Sequence, residues 1–234
     1  MIEKEIEKEI YSLRNQDKSL ILTKFFKTQK GEYSEGDLFL GVTVPQSRVI
    51  VKKYYDKIEY QKLEYLINHK YHEIRFIGLN ILVLKYEKET EPLEKEKLVN
   101  YYIKNLKGVN NWDLVDSTAY KILGPHLIDK DKSILYKFAE SKNLWENRIS
   151  IISTLYFIKN NQFNDTISIS QILINHPHDL IHKAVGWMLR EIGKKDKKIL
   201  LDFLNKYYLT MPRTMLRYAI EKLSLVEKKF YMKK

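Results

Sequence analysis

"HKAVGWMLREIG", residues 182–193, sets large apolar residues at helical spacing around a small one, Gly186. Four other stretches repeat that design: "EIRFIGLNILVLKY" from Glu73, "LVDSTAYKILG" from Leu114, "NRISIISTLYFI" from Asn147 and "LRYAIEKLSL" from Leu216. Their small residues are Gly78, Ala119, Ser150 and Ala219. Aligned on Arg75, Val115, Arg148, Lys183 and Arg217, the segments succeed one another at 40, 33, 35 and 34 residues. Small side chains at one place in each segment let neighbouring helices approach closely.

Between these segments lie other amphipathic stretches: "PLEKEKLVNYYIKNL", "KSILYKFAES", "ISISQILINH" and "KKILLDFLNKYY". The predicted unit is therefore a helix pair of about 35–40 residues, within the HEAT range. Such pairs bury their apolar faces only by stacking, which gives a continuous core and a curved surface. The expected fold is all-α: a HEAT-like repeat α-solenoid, a superhelix of antiparallel helix pairs forming a single domain over residues 1–234. An ordinary helical bundle is the alternative. The stretch from Gly31 to Gly41 reads as a loop, and Pro45 in "GVTVPQSR" suits a helix start.

Composition agrees with a helical globular protein. The chain of 234 residues is 44% hydrophobic and 30% charged, with only 8 Gly and 5 Pro. Cysteine is absent, which excludes disulfides, thiol catalysis and cysteine-ligated metals. The start, "MIEKEIEKEIYSL", is charged and amphipathic and does not read as a signal peptide. No stretch approaches the roughly 18 unbroken apolar residues of a membrane span. The cytoplasm is thus the expected compartment.

The net charge of +11 is uneven. From residue 181 onward there are 14 Lys+Arg against 5 Asp+Glu, whereas residues 1–180 hold 27 against 25. A positive field concentrated at one end is the pattern of a polyanion binder. Lys183, Arg190, Arg213 and Arg217 are its candidate polyanion contacts on a concave basic face.

In "NNWDLVDSTAYKILG", residues 110–124, Trp112 and Asp116 stand four apart and so share one helix face. Stacked helix pairs would make them one wall of a cleft whose other walls carry Arg148 and Trp187. Plainer roles exist for each. Both tryptophans suit a core, and Arg148 suits an ion pair with Glu146 or Asp116. Asp113 follows Asn111, a plausible N-cap, and suits the helix dipole. His178 and His182 are four apart, but "HPHDLIHK" lacks the H-E-x-x-H pattern, so no metal site is expected. Walker A, Rossmann and G-x-S-x-G motifs are missing.

These segments, with "FLGVTVPQSR", "LWENRISIISTLYFI", "IHKAVGWMLREIGK" and "MPRTMLRYAIEKL", resemble in order the AlkD-like DNA alkylation repair enzymes, a family of HEAT-like-repeat DNA glycosylases. The resemblance implies base excision repair: hydrolysis of the N-glycosidic bond of 3-methyladenine and 7-methylguanine in duplex DNA, without a cofactor. It also implies a monomer with no obligate protein partner, nucleoid-associated through its DNA. Carried over by residue, it makes Trp112, Asp116, Arg148 and Trp187 the active cleft. Some members set a tyrosine from the N-terminal helices against the lesion. Here "LTKFFKTQ" offers Phe25 or Phe26, a ring without a hydroxyl. The rival reading is a HEAT-repeat protein that binds branched or damaged DNA without catalysis.

Overall fold

The computed structural model describes residues 1–233 and is all-α. The helices are α1 (Ile2–Ser12), α2 (Gln16–Phe25), α3 (Val44–Tyr54), α4 (Glu64–Ile67), α5 (His72–Lys88), α6 (Pro92–Lys104), α7 (Trp112–Leu127) and α8 (Ser133–Ala139). They continue with α9 (Leu144–Ser153), α10 (Leu155–Lys159), α11 (Asn164–Ile172), α12 (Asp179–Lys195), α13 (Lys197–Tyr207), α14 (Arg213–Ala219) and α15 (Leu225–Met232). Short 3₁₀ turns precede α4 and follow α6. Among the described residues no helix is long and apolar enough to cross a membrane.

The chain forms two compact units, Met1–Thr118 and the part from Ala119 onward, divided within α7. In the first, α5 is the central element, packed against α3, α4 and α6. Its Ile74, Ile77, Ile81 and Leu82 are fully buried, as expected of a helix apolar nearly all round. In the second, α12 is central and packs against α9, α10, α11, α13 and α14. Here Ile181, Val185, Met188 and Ile192 form the buried face of an amphipathic helix.

The repeated segments lie on α5, α7, α9–α10, α12 and α14, and the intervening ones on α6, α8, α11 and α13. Gly78 and Gly186 do what their placement implied. A Cβ on Gly78 would come within 2.8 Å of Leu66 Cβ, and one on Gly186 would strike Met215 and Tyr218 of α14. Helix packing this close tolerates no added methylene cheaply.

Three local departures have physical causes. "NRISIISTLYFI" is two helices, because Ser153 and Thr154 turn their hydroxyls back onto the carbonyls of Ile149 and Ile151, both at 2.7 Å. Such back-bonding bends a helix. "LRYAIEKLSL" ends its helix at Ala219, and Ser224 starts α15 through a capping box with Glu227. Finally, α12 begins at Asp179, ahead of His182, because the His178 ring accepts the Leu180 N–H at 3.1 Å as an N-cap. Pro45 stands at the start of α3 as expected, behind a Thr43–Gln46 capping box.

Candidate functional site

In the first unit, the start of α7 rests on a buried charged cluster. Asp37, from the loop before α3, accepts hydrogen bonds from Arg75 Nη2 (2.5 Å), His72 Nδ1 (3.2 Å), Ser34 Oγ (3.2 Å) and Asn111 Nδ2 (3.3 Å). Arg75 also donates to the carbonyl of His69 at 3.0 Å. His72, only 3% exposed, faces Asp113 of α7 with its other nitrogen, Nε2, at 2.8 Å. Asp113 in turn accepts the Leu114 N–H, and Asn111 Oδ1 accepts the Trp112 N–H.

Burial alone would depress the basicity of His72. The Asp113 and Asp37 carboxylates overcome it and raise the pKa to about 9. Burial would likewise push Asp37 up, but His72 and Arg75 hold it down at about 2. Next to this cluster Glu73 gathers the N–H groups of Leu40 (3.0 Å), Gly41 (2.8 Å) and Val42 (3.2 Å). Gly41 has φ +82 and passes against the backbone of Asn15, so only glycine serves there.

An aromatic column leads from this cluster to the candidate residues. His72 stacks on Phe39 (4.8 Å), Phe39 on Phe26 (4.9 Å), and Phe26 on Trp112 (5.4 Å, 21°). Phe25, 61% exposed, meets the Trp112 ring edge-on at 6.1 Å. Beside the column is an apolar cavity of about 180 Å³ between α2, the loop before α3 and the first turn of α5. Trp112 and Asp116 are both half-buried, the tryptophan opening α7 and the carboxylate one turn further on.

In the second unit, Arg148 stands one turn into α9, whose start is capped by Asn143. It is 5% exposed, and its Nη1 donates to the carbonyl of Leu180 at 2.6 Å, bracing α9 against the first turn of α12. Trp187 is half-buried and lies two turns into α12, deeper than the sequence implied; its Nε1 donates to Glu191 at 3.2 Å. Lys183 pairs with Asp179 (2.7 Å), and Arg190 pairs with Glu221. Arg213 donates to the Met232 carbonyl at 3.1 Å, and Arg217 is exposed.

Sequence reasoning did not find Asp37, His72 or Arg75, and it read Asp113 as a helix-dipole residue. The signal that could have found His72 and Arg75 was "YHEIR", residues 71–75, where His72, Glu73 and Arg75 open a long apolar segment. His182 Nε2 lies 2.5 Å from the His176 carbonyl and His178 caps α12, so these histidines have structural partners. Among the described residues no three His, Asp or Glu side chains are arranged to hold a metal ion.

The family model described as "DNA alkylation repair enzyme" matches residues 6–223. A solved structure described as "Predicted DNA alkylation repair enzyme from Enterococcus faecalis" is similar to this chain with a TM-score of 0.70 at 16% identity. The similarity covers 91% of this chain and 97% of that one, and it shows a shared fold. No curated protein sequence matches the chain significantly.

Proposed function

The chain belongs to the DNA alkylation repair enzyme family, and from that premise we propose that it is a DNA glycosylase that excises cationic alkylated purines such as 3-methyladenine and 7-methylguanine. The observation that carries this reading is Asp116, a half-buried carboxylate one helical turn beyond a half-buried Trp112. A purine alkylated at N3 or N7 is already positive and departs as a neutral base. No strong general acid is then needed, and the chemistry calls for no cofactor. What develops is an oxocarbenium-like sugar, as in glycoside hydrolysis. Its need is a fixed negative charge and an attacking water, and one carboxylate serves both.

In this reading Asp116 faces the sugar, and Trp112 and Trp187 offer ring faces to the cationic nucleotide, each worth about 0.5–2 kcal/mol. Phe25, exposed beside Trp112, adds an apolar contact. Arg148 sets a phosphate or the carboxylate in place. The packed helices are read as HEAT-like pairs whose basic residues track the DNA backbone, fixing register without reading sequence. A monomer acting on cytoplasmic, nucleoid DNA completes the proposal. The decisive experiment incubates the protein with methylated duplex DNA and assays free bases. Release of 7-methylguanine and 3-methyladenine is expected. Tight duplex binding with no release would instead make the protein a non-catalytic DNA binder.

Basic residues differ in what they can give to phosphate. Lys183 and Arg190 must first exchange Asp179 and Glu221 for the DNA. Among the described residues Arg213 is held by a backbone carbonyl rather than a carboxylate, and Arg217 is exposed, so both meet phosphate at less cost. Replacing the two by Ala is expected to weaken duplex binding. It should also lower the slope of log affinity against log salt by about two, one for each arginine that no longer meets a phosphate. An unchanged slope would put the DNA on another surface.

A further inference from the structure

Each ring nitrogen of His72 faces a carboxylate oxygen: Nδ1 faces Asp37 at 3.2 Å and Nε2 faces Asp113 at 2.8 Å. A neutral imidazole carries one N–H and one lone pair. In either tautomer one of these two contacts would set a lone pair against an anionic oxygen. Both contacts are attractive only when both nitrogens are protonated. The charged groups around the ring are Asp37 from the loop, Arg75 and Glu73 from α5, and Asp113 from α7, with the exposed Lys18 of α2 across the adjoining cavity. Glu73 is engaged by three backbone N–H groups. Asp37 and Asp113 then balance Arg75 and the protonated ring itself, and loss of the imidazole proton leaves buried negative charge in excess.

The ring grips α7 at a sensitive place. Asp113 lies between Trp112 and Asp116, and Asn111 is fastened to Ser34 at 2.9 Å and to Asp37. Residues 111 and 113 are thus both tied to the cluster, which fixes the rotation of the first turn. That rotation decides where the Trp112 ring and the Asp116 carboxylate point. On the far side, Phe26 and Phe39 stack between the imidazole and Trp112.

We propose that His72 is a positioning residue that, as a doubly protonated imidazolium, clamps the first turn of α7 between Asp37 and Asp113 and so sets Trp112 and Asp116 for base excision. Its consequence for excision rests on the glycosylase reading above; the clamp itself does not. Above pH 9 the protonated fraction falls about tenfold with each pH unit, and the fraction of correctly placed α7 falls with it.

The test has three readouts. Ring-nitrogen NMR of His72 should show both nitrogens protonated at neutral pH, with a titration near 9. In a Trp145→Phe, Trp187→Phe background, Trp112 fluorescence should change along the same titration and lose that transition in His72→Gln. For 7-methylguanine release, the turnover rate should fall on the alkaline side while the KM for DNA holds. His72→Gln should start low and lack that alkaline limb. Asp113→Asn, which keeps the imidazole but removes one carboxylate, should move the titration and the fluorescence transition to lower pH. A singly protonated ring at neutral pH, or Trp112 fluorescence indifferent to the titration, would overturn the proposal. If the wild-type protein releases no base at any pH, the glycosylase reading falls while NMR and fluorescence still decide the clamp.

Discussion

Asp116→Asn is expected to retain duplex binding and to lose release of 7-methylguanine by two to three orders of magnitude. The substitution keeps the size of the side chain, removes the charge and exchanges one acceptor oxygen for an N–H donor. At about 4 Å, two unit charges in an effective dielectric near 20 interact by roughly 4 kcal/mol. Each 1.36 kcal/mol is tenfold in rate, so losing most of that interaction costs a factor of about 10²–10³. The substrate carries its charge on the base and the transition state spreads it onto the sugar. A carboxylate fixed near the sugar therefore helps the transition state more than the ground state. The effect should appear in single-turnover release, with the dissociation constant for methylated duplex nearly unchanged. Unaltered release would remove Asp116 from the chemistry. Equal losses in binding and release would make it a docking residue.

The helical plan was legible because repeated burial leaves a periodic trace. Gly78 and Gly186 stood out among large apolar neighbours, and both mark close helix packing. The charged cluster left no such trace. Asp37, His72 and Asp113 are joined across separations of 35 and 41 residues, and pairings of that kind have no local pattern. Asp113 does bond its own helix start through Leu114, which is what the sequence implied, but its partner across the fold is His72. Arg148 shows the same limit. One of its contacts is a backbone carbonyl 32 residues away, and every residue type carries one. Helix ends were misjudged where a side chain decided them: the His178 ring started α12 early, and Thr154 split α9 from α10.

Asp37→Ala should be the most damaging change in the first unit, lowering stability by about 3–5 kcal/mol, the usual cost of removing one partner from a buried ionic group. It strips the acceptor from Arg75 Nη2, His72 Nδ1 and Asn111 Nδ2 together, leaving buried Arg75 with backbone carbonyls and His72 with Asp113. Against a typical total stability of about 5–15 kcal/mol, that is a third or more. The pH dependence of the wild-type protein gives an independent check. His72 has a folded pKa of about 9, above its ordinary 6.5, so its contribution is complete below pH 6.5 and is lost as pH rises through 9. Its size is roughly 3 kcal/mol, since raising a pKa by one is worth about 1.36 kcal/mol. Asp37 moves the other way, to about 2 from 3.8, so its contribution is complete above 3.8 and is lost as pH falls through 2. Together they place the cluster's full strength between about pH 4 and pH 6.5. Urea midpoints across pH 4–10 should decline on the alkaline side with an unchanged m-value, and in Asp37→Ala the decline should be smaller and end at a lower pH, because the folded-state pKa of His72 falls while its unfolded value stays. A midpoint flat from pH 6.5 to 9 would mean that the imidazole folds uncharged, since a group with equal protonation in both states adds no slope.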